Sequence, residues 1–313
     1  MARKGKAVNR RKTPGTGKPP LLTLVLVALL IAAALFFLER SRKKAPPAPA
    51  ATRSAPSQLL KLPPRPAPQP VVSSASIPAV AKPKAAPAPH PVGPGTVAII
   101  IDDMGSSPKE LQSLLAIDLP ITFSVIPSLA HAKGVAQAAH EAGAEVMVHM
   151  PMEPKGYPKQ PMEKIGLLVS MEDAEIEKRV SGFFATVPFA VGANNHMGSR
   201  FTESAEKMEV VLKVLKGKGM FFVDSKTSPV SVGYQKARDL GLRCAARQVF
   251  LDNVQDEALI GKQLREAAAI ARKKGSAIAI GHPHPATIRA LQHMMPALAK
   301  DGITFVHASA LTS

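Results

Sequence analysis

The stretch Thr96–Gly105, TVAIIIDDMG, runs five apolar or small residues, Val97 to Ile101, straight into two adjacent carboxylates. A continuous apolar run of this length, closed by a glycine, fits a strand buried on both faces, as in a parallel sheet covered by helices. Asp102 and Asp103 then stand at the C-terminal end of that strand. Like charges side by side cost energy unless a cation, or a proton held by one of them, offsets the repulsion.

Outward from this strand the same pattern repeats. Short apolar runs at 97–101, 121–126, 145–149, 188–193, 220–223, 247–251, 276–280 and 303–306 alternate with segments of helical period, which predicts an α/β fold, a mostly parallel sheet or barrel with outer helices. The clearest helix covers 171–185, where Ser170 and Asp173 have the spacing of a capping box. Further helices are expected to end at Gly143, to start at Thr202, to end at Gly275, and to follow Pro285 with a kink at Pro296.

The whole-chain charge of +17 suggests a nucleic-acid binder only until it is divided. Residues 1–44 carry eleven Lys or Arg against one acid, 45–94 five against none, and 95–313 only 24 against 22. A folded domain this close to neutral has no basic face for nucleic acid. Isolated glycines such as those in GTGK and GKGM stand outside any strand-loop-helix context, so no nucleotide partner is expected either.

Residues 1–20 read as a basic cytoplasmic N-terminus, and Leu21–Leu38, eighteen uncharged and mostly aliphatic residues, as a transmembrane anchor about 27 Å long. Seven basic residues precede the run and no small-x-small cleavage site follows, so the expectation is an uncleaved single-pass anchor in the inner (cytoplasmic) membrane with the bulk of the chain in the periplasm. Residues 39–94 read as a disordered linker, because 45–94 alone hold fifteen prolines and twelve alanines and cannot bury enough surface to offset the entropy of ordering. The folded domain is then 95–313, long enough for a sizeable core. With Cys244 the single cysteine, that core must stabilise the domain without an intramolecular disulfide.

Asp102, Asp103, His149, Asn194, Asn195, His196, Asp224 and His282 all fall at or just past the C-terminal ends of predicted strands. In parallel α/β architectures that rim carries the chemistry while the opposite rim serves stability. Imidazole together with carboxylate selects a borderline divalent metal, Zn²⁺ above all, over Mg²⁺ or Ca²⁺. One carboxylate can bind the cation and the other stay free to take a proton. His284, after Pro283, is expected to line the same pocket.

These residues carry a resemblance. IIIDDMG is similar to the Asp-Asp motif of the polysaccharide deacetylases, AEVMVH to the start of their zinc motif, and NNHMGSRFT, FFVDSKTS and IAIGHPHPAT to signatures of the divergent polysaccharide deacetylase family of bacterial envelopes. The resemblance covers roughly 95–310 and implies a distorted barrel of seven or so strands. It also implies that Asp102 is the general base, Asp103 and His149 metal ligands, His282 the general acid, and Asp224 the carboxylate that orients it. Glu153 and Pro154 stand where a second zinc-motif His would follow His149, so the third ligand is His196 or, failing it, Glu153, His131, His284 or water. The family's Arg-x-Pro-Tyr motif is replaced by NNHMGSR, in which Asn194 or Asn195 can donate to the substrate or cap a turn. Two functions are consistent with this pattern. One is an anchored metal-dependent hydrolase removing N-acetyl groups from an envelope polysaccharide such as peptidoglycan. The other is an inactive deacetylase-like domain that binds or scaffolds in the envelope. A domain with no Trp and only Tyr157 and Tyr234 has few platforms for stacking sugar rings.

Overall fold

The computed structural model describes residues 94–313. The basic N-terminus, the anchor at 21–38 and nearly all of the linker lie outside the described residues. Among the described residues no helix is long and apolar enough to cross a membrane.

Nine strands form one sheet: β1 (Gly95–Met104), β2 (Thr122–Val125), β3 (Glu145–Met152), β4 (Ala190–Met197), β5 (Phe221–Asp224), β6 (Cys244–Ala246), β7 (Val249–Phe250), β8 (Ser276–Gly281) and β9 (Ile303–Val306). Their order is β6-β5-β4-β3-β2-β1-β8-β7, with β9 paired to β1, and every pairing is parallel. The α/β class and parallel sheet are as expected. The strand count exceeds the expected seven or eight because Cys244–Ala246, ahead of the expected run at 247–251, forms a strand of its own, β6, split from β7 at Arg247–Gln248.

That split is what curls the sheet. The Arg247 amide bonds to Asp224 O beside β6, and the next amide, Gln248, bonds to Ile278 O beside β7, so the chain steps from one end of the sheet to the other. Ala98, Ile100, Met147, Phe221, Val223, Ala245, Ile278 and Ile280 accordingly pack as one apolar cluster with Ala308. Residues from β6 and β8 share this cluster although their strands lie far apart in the sheet order, so this face is the inside of the curl. Gly192 leaves room for it, since a Cβ there would lie 2.6 Å from the Phe221 ring. The other face, with Val97, Ile99, Ile101, Val146 and Val148, packs the larger core against the helices.

Seven helices cover that outer face: α1 (Pro108–Leu115), α2 (Ala132–Glu141), α3 (Asp173–Thr186), α4 (Ala205–Gly217), α5 (Gly233–Asp239), α6 (Glu257–Lys274) and α7 (Pro285–Lys300). The Ser170 capping box is not formed. Helix α3 starts later, with Glu172 at the N-cap, and the Asp173 carboxylate takes the Lys207 ammonium at 2.8 Å instead of returning to Ser170. Helix α7 runs through Pro296 as one element. Beneath the sheet the C-terminal segment closes the curl: Ala308 N donates to Thr122 Oγ1, Ser309 N to Glu145 Oε1, and Ser313 exchanges backbone bonds with Cys244. Expressed alone, residues 95–313 are expected to be soluble and to unfold in one cooperative thermal transition; an insoluble or unfolded fragment would move the domain boundary.

Candidate active site

Inward-facing residues alternate along each strand, so the layer above the apolar interior is set by counting in twos. Ala98 and Ile100 lead to Asp102, Met147 to His149, Gly192 to Asn194 and His196, Phe221 and Val223 to Ser225, Ala245 to Arg247, Phe250 to Asp252, and Ile278 and Ile280 to His282. Asp102, His149, His196, Ser225, Arg247, Phe250 and His282 line one cavity of about 360 Å³ at this rim. Asp103 is out of phase, yet its backbone turns at φ 56, ahead of Gly105 at φ 116, and this left-handed turn returns its side chain to the same site. Met197 and Lys226, which also line the cavity, are left-handed as well, at φ 51 and 50. Strained backbone of this kind gathers where a site is held in one geometry.

Asn194 ties the site together from below. It is paired in register with His149 on the neighbouring strand and is wholly buried. Its Nδ2 donates to Asp102 Oδ1 at 2.7 Å, which leaves its Oδ1 to accept from Ser124 Oγ and from His149 Nδ1, each at 2.6 Å. A carboxylate only accepts, so this network assigns the amide orientation and puts the imidazole proton on Nδ1. His149 Nε2 therefore points up into the site, 3.2 Å from Asp103 Oδ1 and 3.5 Å from Asp102 Oδ2.

Three electron-rich atoms converge there. Asp103 Oδ1 lies 2.9 Å from His196 Nδ1, and His196 Nδ1 lies 3.1 Å from His149 Nε2. Ligands about 2.0–2.1 Å from a tetrahedral Zn²⁺ stand about 3.3 Å apart, close to these spacings. Asp103 Oδ1 is buried and, despite its near neighbours, receives no well-aligned hydrogen bond. Spacing, donor types and the orphaned oxygen together fit a divalent cation held by Asp103, His149 and His196. Glu153 is not available as a substitute, because its carboxylate is taken by Arg200 Nη1 at 2.8 Å and Val169 N at 2.7 Å. His131 is exposed at the start of α2 and is not one of the converging residues.

Beside the cluster, His282 Nδ1 meets Asp252 Oδ1 at 2.9 Å, and its Nε2 faces Asp103 Oδ2 at 3.9 Å. Asp252 is itself fixed by His282 N and Thr287 Oγ1. Here the expectation for Asp224 is corrected. Its carboxylate accepts from Ser231 Oγ, Tyr234 N and Lys226 N and anchors the loop after β5, with no bond to His282. The reason is parity: Asp224 falls between inward Val223 and Ser225, whereas Asp252 is in phase with Phe250. Two other placements also change. Asn194 is sealed below the cavity, and Asn195 spends its amide on Met197 O, Thr227 and Ser225 N, so both position other groups and neither is free for substrate. The His284 ring lies tilted beside His282, 5.8 Å between ring centres, and is not part of the cavity wall. Asp252, His282 and His284 form a second group of closely spaced donors, but the Asp252 oxygens already accept three hydrogen bonds. The motifs in the sequence do not single out Asp252, Ser225 or Arg247, although counting in twos from the apolar runs finds all three.

The electrostatics separate the two adjacent carboxylates. Burial pushes the Asp102 carboxyl above its ordinary value, outweighing the pull of His149, His282 and Asn194. Burial also opposes ionisation of Asp103, but the imidazoles of His149 and His196 overcome it and hold this carboxyl well below the usual carboxylate range. For His282, burial favours the neutral ring, yet Asp252, Asp102 and Asp103 prevail and raise its pKa to about 9. The ring thus carries its proton at neutral pH and releases it only as pH rises through that value.

Curled parallel sheet, Asp-His-His cluster and Asp-His pair define a deacetylase-like domain. The chain belongs to the divergent polysaccharide deacetylase family, whose model matches residues 99–312. It is 43% identical over 221 residues to the uncharacterized protein YibQ of Escherichia coli (strain K12), covering 71% of this chain and 68% of that one. It is 38% identical over 205 residues to an uncharacterized protein of Haemophilus influenzae, covering 66% of this chain and 72% of that one. Among solved structures it resembles the uncharacterized protein ATU2773 from Agrobacterium tumefaciens C58, with a TM-score of 0.67 at 27% identity over 70% of this chain and 89% of that one.

Two measurements test the geometry. The full-length protein is expected to bind one zinc, and His196→Ala to abolish stoichiometric binding in metal analysis; unchanged content would remove His196 from the site. In chelator-treated protein, NMR titration is expected to place the His282 midpoint near 9, and Asp252→Asn to move it down toward the ordinary 6.5. An unmoved midpoint would deny Asp252 its hold on the ring.

Proposed function

We propose that the chain is a metal-dependent hydrolase that removes acetyl groups from the amide nitrogens of an N-acetylated envelope polysaccharide, with peptidoglycan the expected polymer. The observation that carries this reading is that Asp102, His149, His196 and His282 line one cavity, with Asp103 against the two imidazoles and Asp252 behind His282. A divalent cation on that cluster, Zn²⁺ by its donor set, supplies Lewis acidity for the acetyl carbonyl and for water.

Amide hydrolysis adds water across the C–N bond, so one proton must leave water and one must reach the departing nitrogen. Asp102, buried with a raised affinity for protons and held in place by Asn194, takes the first. His282 delivers the second from Nε2, with Nδ1 anchored to Asp252 so that the ring cannot turn away. Phe250 and Ile280 give the cavity an apolar wall suited to a methyl group. Residues 21–38 are read as the single-pass anchor in the inner membrane and 39–94 as the tether, with the domain on the periplasmic side; the hydropathy of Leu21–Leu38 and the basic residues before it support this placement.

The test is acetate release from N-acetylglucosamine oligomers and from peptidoglycan by the zinc-loaded full-length protein. Asp102→Asn and His282→Ala are each expected to cut turnover by about 10²–10⁴-fold, the usual effect of a positioned acid or base, while Asp102→Asn keeps its zinc. Wild-type release no greater than that of either variant on every substrate would favour the inactive binding module.

A further inference from the structure

His196 replaces a ligand that the chain lacks at its usual place after His149, and its ring must be held in one orientation to serve. A neutral imidazole carries a single N–H, and a ligating nitrogen cannot keep it. His196 turns Nδ1 toward Asp103 and His149, so Nε2 is left to carry the proton and needs an acceptor. Glu163 Oε2 lies 3.7 Å from Nε2, is buried, and has no hydrogen-bond partner.

Glu163 arrives there on the long connection between β3 and α3, and that connection is tied down around it. Gly166 N bonds back to Glu163 O, and Arg179 of α3 donates to the carbonyls of Lys164 and Gly166. Leu167 N bonds to Pro151 O and Glu153 N to Leu167 O, which stitches the returning chain to the end of β3. The turn bearing Glu163 is therefore fixed from behind, with its carboxylate aimed at the one imidazole nitrogen in the cluster that lacks an acceptor.

We propose that Glu163 is a positioning residue of the metal centre, accepting the Nε2–H of His196 so that Nδ1 presents its lone pair to the cation. His196 Nδ1 lies 2.9 Å from Asp103 Oδ1; with a cation there, Nε2 would carry the proton and hydrogen-bond to Glu163. The connection between β3 and α3 thereby becomes part of the cation site. The inference rests on the reading of Asp103, His149 and His196 as that site, and the experiment keeps the two apart.

In the full-length protein, zinc affinity is measured for wild type, Glu163→Ala, Glu163→Gln and His196→Ala, with ¹⁵N NMR reporting the tautomer of His196 in the zinc-loaded wild type. Glu163→Ala is expected to weaken zinc about 10–100-fold, the usual effect of losing a carboxylate behind a metal-bound histidine. Glu163→Gln, whose carbonyl oxygen accepts the same N–H, is expected to restore most of the loss, and the loaded ring to show Nε2–H. Unchanged affinity in Glu163→Ala while His196→Ala loses zinc would overturn the role of Glu163 alone. Equal weakness in Glu163→Gln and Glu163→Ala, or an Nδ1–H tautomer, would overturn it too, the former pointing to direct ligation. Unchanged affinity in His196→Ala would overturn the site reading and this proposal with it.

Discussion

Two carboxylates on consecutive residues must reach one small region without repelling each other out of it, and the rest of the site is organised around that constraint. An ordinary strand would send Asp102 and Asp103 to opposite faces. The left-handed turn at Asp103 cancels the alternation at a cost of about 1–3 kcal/mol for a non-glycine residue. Backbone bonds to the next two residues hold the turn in place: Ile126 N bonds to Met104 O, and His131 N bonds to Gly105 O. The site geometry is thus built into the β1–α1 connection, and its cost is met by the bonds of two neighbouring segments.

The period of two explains both what is legible in the sequence and where the sequence misleads. Apolar runs ending in polar residues identify the strands, their parallel arrangement and the rim, because burial on both faces demands continuous hydrophobicity. Extending the inward count past each run picks out Asp102, His149, His196 and His282, and it picks out Ser225, Arg247 and Asp252 as well. Asp224 resembles them because it follows FFV directly, but one residue of phase turns its carboxylate into a loop anchor. Strand β6 escapes the reading for a related reason: the three small residues Cys244 to Ala246 are too few to signal a strand, and Arg247 and Gln248 too brief a break to signal a step across the open side of the sheet.

Other features depend on pairing that no single segment contains. Asn194 becomes the partner of His149 and Asp102 only because β3 and β4 lie side by side in that register, and β1 is two strands away from β3. Read alone, NNH offers two equivalent amides. In the fold, one is buried between Asp102 and His149, and the other stabilises the turn beside it. Glu163 is separated from His196 by a helix and a strand, and its carboxylate gains meaning only when α3 packs and Arg179 reaches back to the connection.

The division of labour between the twin aspartates arises from what surrounds each one, since they have the same chemistry. Asp103 faces two imidazoles, and their closeness outweighs its burial and holds its carboxyl well below the usual carboxylate range. Asp102 lies deeper, with its Oδ1 committed to the Asn194 amide and its Oδ2 at a longer 3.5 Å from His149, so desolvation dominates and favours its protonated form. A cation on the cluster would accentuate the contrast, since it engages the carboxylate that already has no competing proton. The neighbour is left as the group whose proton affinity is raised, and His282, at the end of the adjacent strand β8, holds a proton at neutral pH. Proton acceptor and donor thus stand on neighbouring strands at one cavity, as the proposed hydrolysis of an amide requires, and their division of roles arises from one left-handed residue and one buried asparagine.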